Sequence, residues 1–266
     1  MKNTVQERKL RAVILAGGEG KRLMPLTSAL PKPLLKIDGV PVIKNIIAML
    51  SRHGIKKAAV TLGFKGDMIK EALGESFLGV ELTYFTEDEP LGSAGGVKKA
   101  SNFITDDEFI VICGDAMCDF DLGGALDFFY RTGGDGVILC DEKNEDPLEY
   151  GIVTSDDKGR VISFVEKPSW SGVCPGGVNT GMYIFKRDVL DLIPEGRYDF
   201  GFDLFSKMLT MGRSLYAYKI NGDWCDIGTI SDYYKCNMKY SGGKNVIGQG
   251  CQLDSSSKIE KSVISD

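Results

Sequence analysis

Strand-length apolar runs alternate with amphipathic helical stretches in the first half of the chain, and this alternation constrains the fold more than any other feature. The apolar runs lie at 11–17, 58–63, 80–85, 109–114 and 136–141. The stretch at 41–50 between two of them has proline at its first position and apolar residues at helical spacing. Such alternation predicts βαβ units on a parallel sheet flanked by helices, an α/β fold whose ligands bind at the carboxyl ends of the strands.

The pattern changes to paired strands after about residue 146. Runs at 150–156 and 160–166 flank Asp156–Gly159, whose composition is typical of a hairpin turn. Further strands are predicted at 178–185 and 214–220, a helix near 200–211, and a last helix from Thr229. We expect an antiparallel extension of the same sheet, which makes the sheet a mixed one.

The tail carries a six-residue repeat. Three hexads begin with an aliphatic residue and have a small or β-branched fifth residue: Ile247 with Cys251, Leu253 with Ser257, and Ile259 with Val263. This is the hexapeptide pattern of a left-handed β-helix. We therefore predict two domains, residues 1–242 and residues 243–266, the second being a single coil of the kind that a truncated β-helix would leave.

Composition excludes several classes of protein. The 266 residues are 43% apolar and carry a net charge of -5, which fits a globular chain without a surface for nucleic acid. No apolar run approaches the ~18 residues of a membrane span, and Met1–Leu10 lacks the apolar core of a secretory signal. The seven cysteines include no CxxC pair and are typical of reduced thiols. We predict a cytoplasmic protein with neither nucleic-acid nor membrane partners.

The single histidine limits the catalytic chemistry. His53 precedes Gly54 in a setting typical of the last turn of a helix closed by glycine. We assign it a structural role, so neither a Ser-His-Asp triad nor a multi-histidine metal site is expected.

The first strand runs into a glycine loop, Gly17–Gly20, followed by Lys21 and Arg22. The loop is not a Walker A motif, because Arg22 stands where Ser or Thr is required, and Leu23 breaks the Rossmann fingerprint. Open backbone amides beside Lys21, Arg22 and Lys32 suit a polyphosphate. For the glycines alone, a solvated basic loop is the alternative.

Six further motifs continue this string. Residues 17–43 are followed by motifs at 87–95, 114–115, 150–151, 164–168, 178–181 and 224–229. Over about residues 11–240 they resemble sugar-1-phosphate nucleotidylyltransferases, which transfer a nucleoside monophosphate from an NTP to a sugar 1-phosphate. The resemblance implies a nucleotide-binding, Rossmann-like mixed sheet flanked by helices, the β-helical tail that many members carry, and Mg²⁺ as cofactor.

The residues fit this chemistry. The second pKa of an unesterified phosphate is about 6. At neutral pH the attacking sugar phosphate is therefore already an anion and needs no general base. Bringing it onto a polyanion calls for cations and metal, and the resemblance implies catalytic roles for Arg22, Lys32 and Asp115. Asp115 follows an apolar strand, and with Asp226 it would hold Mg²⁺. Taken alone, Asp226 would be interpreted as a helix cap.

The resemblance also implies two sets of binding residues. The nucleotide set is Leu15, Gly17, Gly18, Gly20, Lys21, Arg22, Glu87 and Gly92, and the sugar-phosphate set is Gly151, Glu166, Lys167, Asn179 and Thr180. Many members have Thr at the position of Lys21. The side chain of Lys21 would either touch a phosphate or face water. Glu166 would accept sugar hydroxyls and Lys167 would meet the phosphate, the alternative being an exposed ion pair. Trp224 is expected to be a packing residue.

Glu87 bears on the choice of nucleobase. Relatives that use dTTP or UTP often carry Gln five residues before the glycine that is Gly92 here. A carboxylate only accepts hydrogen bonds, and guanine presents two donors side by side. Together with the motif context, this favours GTP and mannose 1-phosphate as substrates. The alternatives are a dTTP- or UTP-dependent glucose-1-phosphate nucleotidylyltransferase and a non-catalytic NDP-sugar-binding regulatory protein. We also expect a homo-oligomer.

Overall fold

The computed structural model describes residues 10–142, 147–170 and 175–265. Its strands are β1 (Arg11–Ala16), β2 (Lys36–Ile37), β3 (Val40–Pro41), β4 (Lys57–Leu62), β5 (Ser76–Phe77), β6 (Val80–Thr86), β7 (Glu108–Cys113), β8 (Ala116–Phe120), β9 (Gly136–Asp141), β10 (Gly151–Ser155), β11 (Val161–Glu166), β12 (Gly177–Lys186), β13 (Leu215–Lys219), β14 (Gly222–Asp226), β15 (Val246–Ile247) and β16 (Val263–Ile264). Its α-helices are α1 (Leu26–Ala29), α2 (Val42–Arg52), α3 (Gly66–Leu73), α4 (Gly92–Lys99), α5 (Leu122–Thr132), α6 (Phe205–Thr210) and α7 (Ile230–Tyr240).

Short helical turns join several of these elements. Turns of 3₁₀ helix lie at Lys21–Leu23, Lys32–Leu34, Ser101–Phe103, Pro147–Glu149 and Arg187–Leu192, and a π-helical turn lies at Phe200–Leu204.

One large mixed sheet organises the chain. Its strand order is β11-β10-β12-β7-β1-β4-β6-β5, with β9 paired to β12 and β13 paired to β9. Strands β7, β1, β4 and β6 are parallel to one another, and β12 runs antiparallel to β7, β9 and β10. The predicted α/β fold, with a parallel half and an antiparallel extension, is confirmed.

The central strands are apolar on both faces because helices cover both sides of the sheet. Ile14 of β1 packs into one core cluster with α2, while Val13 packs into a second cluster with Val111 of β7. All three side chains are fully buried. A strand buried on both faces needs a continuous apolar sequence, which is the pattern that the first half of the chain shows.

Parallel strands bring their carboxyl ends to one edge of the sheet, and the predicted motifs follow those ends. The glycine loop follows β1, Gly114 and Asp115 follow β7, and Glu87 follows β6. The carbonyl oxygen of Leu15 accepts a 2.7 Å hydrogen bond from the Gly114 N–H, and that of Leu62 accepts one of the same length from the Glu87 N–H. These bonds hold the segments at a common edge.

A second, two-stranded sheet adds one more functional position to that edge. Strand β8 begins directly after Asp115, and its partner β14 runs antiparallel, so that Asp226 lies opposite Ala116. Helix α7 then begins with a capping box, in which the Thr229 and Asp232 side chains each accept a hydrogen bond from the other residue's backbone N–H. The predicted last helix from Thr229 is confirmed.

His53 occupies the helix end that its sequence predicts. It terminates α2, its Nδ1 lies 2.9 Å from the Met49 carbonyl oxygen, and Gly54 follows with φ of 80°. The side chain thus serves the helix end.

The described part of the tail contains one parallel pair. Val246 lies opposite Val263 and Ile247 opposite Ile264, and the Tyr234 hydroxyl of α7 donates to the Lys261 carbonyl oxygen at 2.9 Å. Residues 1–9 and 266 of the two predicted domains lie outside the described residues, as does Cys174. The six other cysteines are free thiols. Within the described ranges, no helix has the length and apolar character needed to cross a membrane.

Candidate active site

Lys32 connects the two predicted metal ligands. Its ammonium nitrogen lies 2.9 Å from Oδ2 of Asp115 and 3.4 Å from Oδ1 of Asp226. Lys32 is only 9% exposed, whereas Asp115 retains contact with solvent at the strand end. The structure therefore brings together one predicted catalytic cation and both predicted acidic residues.

Burial and charge act in opposite directions at this cluster. Burial lowers the pKa of Lys32, but the attraction of Asp115 and then of Asp226 raises it by more, so the ammonium is held in its charged form. Burial raises the pKa of Asp226, an effect that Lys32 opposes and Asp115 reinforces. The cluster is a cation set between two carboxylates in a site largely closed to water.

The glycine loop lies next to this cluster. Gly20 has φ of 63°, and a Cβ there would lie 3.0 Å from Cγ2 of Thr27 and 3.2 Å from Cβ of Lys32, so the position favours glycine. Within the described ranges, no acceptor is bonded to the N–H of Gly18 or Gly20. A cavity of about 460 Å³ is lined here by Glu19, Gly20, Lys21, Arg22, Leu23, Lys32, Pro90, Asp115 and Gly228. Gly20, with its free amide, and three cations thus border this cavity, the arrangement that the sequence predicts for a polyphosphate. We call it the glycine-loop cavity.

The two loop cations differ from Lys32 in being exposed and paired with acids. Lys21 lies 2.8 Å from Oε2 of Glu19, and this contact raises its pKa. Arg22 Nη1 lies 3.0 Å from Oε2 of Glu149, with both side chains more than half exposed. An anionic ligand in this cavity would compete with these carboxylates for the cations.

A second cavity, of about 230 Å³, is lined by both Asp115 and Asp226. Besides these two, it is lined by Ser93, Cys113, Ala116, Glu149, Tyr150, Gly151, Glu166, Asn179, Thr180, Gly181, Tyr183, Asp199, Gly201, Phe202 and Trp224. Four of the five predicted sugar-phosphate residues are in this set, and Asp115 lines both cavities. We call it the Glu166 cavity.

Glu166 sits between two glycines. A Cβ on Gly151 would lie 2.7 Å from Oε2 of Glu166, and one on Gly201 would lie 2.2 Å from the same atom. Burial raises the pKa of Glu166, Lys167 opposes the rise and Asp199 adds to it. The two glycines make room for this carboxylate at the cavity wall.

The other predicted sugar-phosphate residues, Asn179, Thr180 and Lys167, differ in their hydrogen bonds and in their exposure to solvent. The Asn179 amide donates to the Tyr183 hydroxyl at 3.0 Å and accepts from the Gly181 N–H at 3.1 Å, so one of its donors is left for a ligand. The buried Thr180 hydroxyl donates to the Leu139 carbonyl oxygen at 2.8 Å. Lys167 is exposed and lies outside the lining of the Glu166 cavity.

Glu87 faces the glycine loop from the neighbouring strand end. Its Oε2 accepts a 3.1 Å hydrogen bond from the Leu91 N–H, and Oε1 would lie 3.4 Å from a Cβ on Gly17. Burial raises the pKa of Glu87, which the Leu91 bond and Lys99 partly oppose. Gly92, with φ of 73°, begins α4 close to the Tyr198 carbonyl oxygen.

The donor set at Asp115 and Asp226 can be tested against Mg²⁺. Within the described ranges, no group of three or more acidic, cysteine or histidine side chains converges on one point. Mg²⁺ is ordinarily held by one or two carboxylates together with substrate phosphates and water, and not by an all-protein cage. Asp115 lines the glycine-loop cavity, and Asp226 shares its Lys32 partner at 3.4 Å, so the two carboxylates fit that donor set.

Among the lining residues of the Glu166 cavity that sequence reasoning did not predict are Glu149 and Phe202. Glu149 immediately precedes the Tyr150-Gly151 motif, and that proximity was the available signal. Phe202 follows Gly201 in a stretch that we predicted only as helix. Trp224, expected to be a packing residue, contacts Tyr150 edge-on at 5.6 Å between ring centroids and also lines the cavity.

The fold is a mixed α/β sheet with two cavities that share Asp115. The chain belongs to the nucleotidyl transferase family, whose profile matches residues 11–242. It is 36% identical over 241 residues to the UTP–glucose-1-phosphate uridylyltransferase of Synechocystis sp., an alignment that covers 85% of this chain. It is 33% identical over 227 residues, 84% of this chain, to the mannose-1-phosphate guanylyltransferase of Mycobacterium tuberculosis. The matches span 62% of the length of each of these two relatives.

The fold is also similar to that of solved structures. HddC from Yersinia pseudotuberculosis superposes with a TM-score of 0.74 at 30% identity, covering 86% of this chain and 99% of HddC. A second HddC structure, complexed with GMP-PN, superposes with a TM-score of 0.73.

Proposed function

We propose that the protein is an enzyme that transfers a nucleoside monophosphate from an NTP to a sugar 1-phosphate. A phosphate oxygen of the sugar 1-phosphate attacks the α-phosphorus, the bond from that phosphorus to the bridging oxygen breaks, and pyrophosphate leaves. The observation that carries the proposal is the contact of Lys32 with Asp115 and Asp226 where the two cavities meet: Asp115 lines both cavities, Lys32 lines the glycine-loop cavity, and Asp226 lines the Glu166 cavity. Two substrates bound on either side of this cluster would meet at it.

The chain's own side chains would then divide the work. Arg22 and Lys32 would stabilise the charge that develops on the leaving pyrophosphate, with the N–H groups of Gly18 and Gly20 and the Lys21 ammonium as further phosphate contacts. Leu15, Gly17 and Gly92 would border the nucleoside. Glu166 and Asn179 would orient the sugar hydroxyls. Gly151 and Thr180 would shape the wall beside them, and Lys167 would meet the sugar phosphate from outside.

Asp115 and Asp226 would hold Mg²⁺ together with phosphate oxygens of the substrates. When bound, the ion would neutralise phosphate charge and orient the reacting groups. Lys32 now balances the same two carboxylates. A phosphate group would give Lys32 a new partner, and the carboxylates would become available to the ion.

For the base and the sugar we propose GTP and mannose 1-phosphate, with GDP-mannose as product. Supporting this are the acceptor-only side chain of Glu87 beside the glycine loop, the mannose-1-phosphate guanylyltransferase relative, and the GMP-PN complex of HddC. The uridylyltransferase relative favours a second candidate, UTP with glucose 1-phosphate.

We further propose a catalytic domain at 1–242 and a single left-handed β-helical coil at 243–266, which the parallel pair of β15 and β16 supports. The free thiols support a reducing, cytoplasmic location. A homo-oligomer is proposed as well, and light scattering tests it.

The decisive experiment measures pyrophosphate release with GTP, dTTP, UTP and ATP, each combined with mannose 1-phosphate or glucose 1-phosphate. We expect release that depends on both substrates, highest with GTP and mannose 1-phosphate. Arg22→Ala, a change at an exposed residue, should lower turnover by about 100-fold with an unchanged circular dichroism spectrum. Failure to release pyrophosphate with any pair would overturn the proposal.

A further inference from the structure

One aromatic side chain in the Glu166 cavity is unusually exposed. Phe202 is 65% exposed and lines the cavity together with Glu166 and Asn179. Single exposed apolar residues are common on protein surfaces. Of the large apolar side chains that are exposed in the described ranges, however, Phe202 is the only one in this lining.

The backbone that carries Phe202 is held firmly. Oδ1 of Asp199 accepts hydrogen bonds from the Ser93 N–H at 2.9 Å and the Ser93 hydroxyl at 3.1 Å, and the Phe200 N–H donates to that hydroxyl at 3.0 Å. Phe200 is buried and stacks on Phe185 with 5.6 Å between ring centroids. Residues two apart in a helical turn point in different directions. Anchoring Phe200 in the core therefore fixes Phe202 at the cavity.

Gly201, the residue before Phe202, makes room for the carboxylate of Glu166. A Cβ on Gly201 would lie 2.2 Å from Oε2 of Glu166, so only glycine lets the carboxylate approach the backbone that leads into Phe202. The lining of the Glu166 cavity therefore contains both a hydrogen-bond acceptor, Glu166, and an exposed aromatic ring, Phe202.

A sugar ring has complementary chemistry. Its hydroxyls lie around the edge and its C–H bonds on the faces, so one wall must offer polar groups and another an apolar surface. Small-molecule sites commonly combine a few placed polar groups with aromatic side chains in this way. An interface with a second protein would need a larger contiguous apolar patch than one ring among carboxylates.

We propose that Phe202 is a sugar-selecting residue, whose ring packs against a C–H-rich face of the sugar while Glu166 and Asn179 bind hydroxyls at its edge. The inference rests on the proposed function. It names the substrate class for this position as a hexose 1-phosphate.

The test compares Phe202→Ala, Phe202→Leu and Phe202→Tyr by steady-state kinetics with the best sugar 1-phosphate and NTP. Met211→Ala is the matched control, because Met211 is also exposed, at the end of α6, and lies outside the cavity. We expect the KM for the sugar 1-phosphate to rise about 5- to 10-fold in the alanine variant, the size of a lost aromatic contact. It should rise less in the leucine variant and stay near wild type in the tyrosine variant. Turnover and the KM for the NTP should hold in all three.

Several outcomes would overturn the inference and leave the proposed function standing. These are an unchanged sugar KM in Phe202→Ala, an equal rise in the alanine and tyrosine variants, or a rise in the KM for the NTP. A change of oligomeric state in Phe202→Ala without a change in KM would assign the ring to an interface between copies and would also overturn it. If the wild type releases no pyrophosphate with any pair, the proposed function itself fails. Calorimetric binding of mannose 1-phosphate to wild type and Phe202→Ala then decides the inference.

Discussion

The ammonium of Lys32 lies 2.9 Å from Oδ2 of Asp115, which joins the segment after the glycine loop to the turn between β7 and β8. Because the pKa of Lys32 is raised above its ordinary value of 10.5, its charge persists through the neutral and mildly alkaline range. Because the pKa of Lys32 is higher in the folded protein, the stability that this contact contributes is complete below the ordinary lysine pKa. That stability is lost only as the pH rises through the folded-state pKa.

Replacing Lys32 should therefore damage both turnover and stability. Lys32→Met keeps the length of the side chain but leaves two carboxylates without their cation. We expect turnover to fall by about 100-fold or more. The free energy of unfolding should fall by about 3 kcal/mol, the low end for a broken buried pair because Asp115 is partly exposed. Pyrophosphate release and urea unfolding measure the two effects. Lys70→Met, at a partly exposed lysine of α3 paired with Asp67, is the control. Near-normal turnover in a folded Lys32→Met would contradict the assignment.

The metal proposal predicts a loss that added ion does not repair. Asp115→Asn and Asp226→Asn keep the shape of the side chain and remove the charge that Mg²⁺ requires. We expect turnover to fall by about 100-fold or more in each, without recovery at higher Mg²⁺. Wild-type turnover should vanish in EDTA and return with Mg²⁺. Asp223→Asn, at a half-buried residue of β14 paired with Lys239, should behave as wild type. Activity that survives EDTA would refute the metal site.

Unlike the substitutions above, which impair the enzyme, removing the contact between Arg22 and Glu149 should improve NTP binding. Glu149→Gln removes a carboxylate that competes with phosphates for Arg22, so the KM for the NTP should fall. An exposed ion pair contributes about 0 to 1 kcal/mol, which limits the change to about 5-fold. The effect should shrink as salt is added, because both side chains are exposed to screening. Glu142→Gln, at an exposed glutamate near Lys219, is the control, and a higher KM in Glu149→Gln would contradict the competition.

How much of the site was predictable depends on which contacts hold each residue. Asp115 and Glu87 follow strand ends, and a parallel sheet brings such ends to one edge, so their convergence follows from the apolar pattern alone. Asp226 reaches the same place through the pairing of β14 with β8, which no local pattern specifies. The family resemblance, not the periodicity, pointed to it.

Two other positions could not have been found from sequence periodicity. Glu149 meets Arg22 across a sequence separation of 127 residues, through a short turn whose direction depends on the loops around it. The stretch predicted as one helix near 200–211 is a π-helical turn followed by α6, and Asp199 binds Ser93 at its start. That tertiary contact determines where Phe202 points.

Glu166 carries a prediction about pH. Burial raises its pKa, so the folded state disfavours the ionised form. The resulting penalty is absent well below the ordinary value of 4.5 and grows as the pH rises through the folded-state pKa. The free energy of unfolding of Glu166→Gln should therefore exceed that of the wild type by about 1 kcal/mol near pH 7. This gain in stability should shrink toward about pH 4. Urea unfolding at both pH values tests this, with Glu71→Gln of α3 as the exposed control. A gain that grows as the pH falls would show the opposite sign. The same variant should raise the KM for the sugar 1-phosphate.

The carboxylate of Glu87 is expected to select the nucleobase of the NTP. Oε2 of Glu87 accepts the Leu91 N–H, and a glutamine can keep that bond only through its single amide oxygen. Its NH₂ group is then left to face the guanine donors. A mismatched polar group in a closed site costs about 1 to 3 kcal/mol, or about 5- to 150-fold in kcat/KM. For Glu87→Gln we therefore expect GTP use to fall by that factor while UTP and dTTP use holds or rises, because an amide pairs with the O4 and N3–H of those bases.

The measurement is kcat/KM for GTP, UTP and dTTP in wild type, Glu87→Gln and Glu89→Gln. Glu89 is an exposed glutamate two residues further along the same loop, so its variant changes the net charge equally without altering the carboxylate beside Gly17. A shift in base preference confined to Glu87→Gln would separate hydrogen-bond reading from a general charge effect. A wild type that already prefers UTP or dTTP, or equal behaviour of the two variants, would show that Glu87 does not select the base.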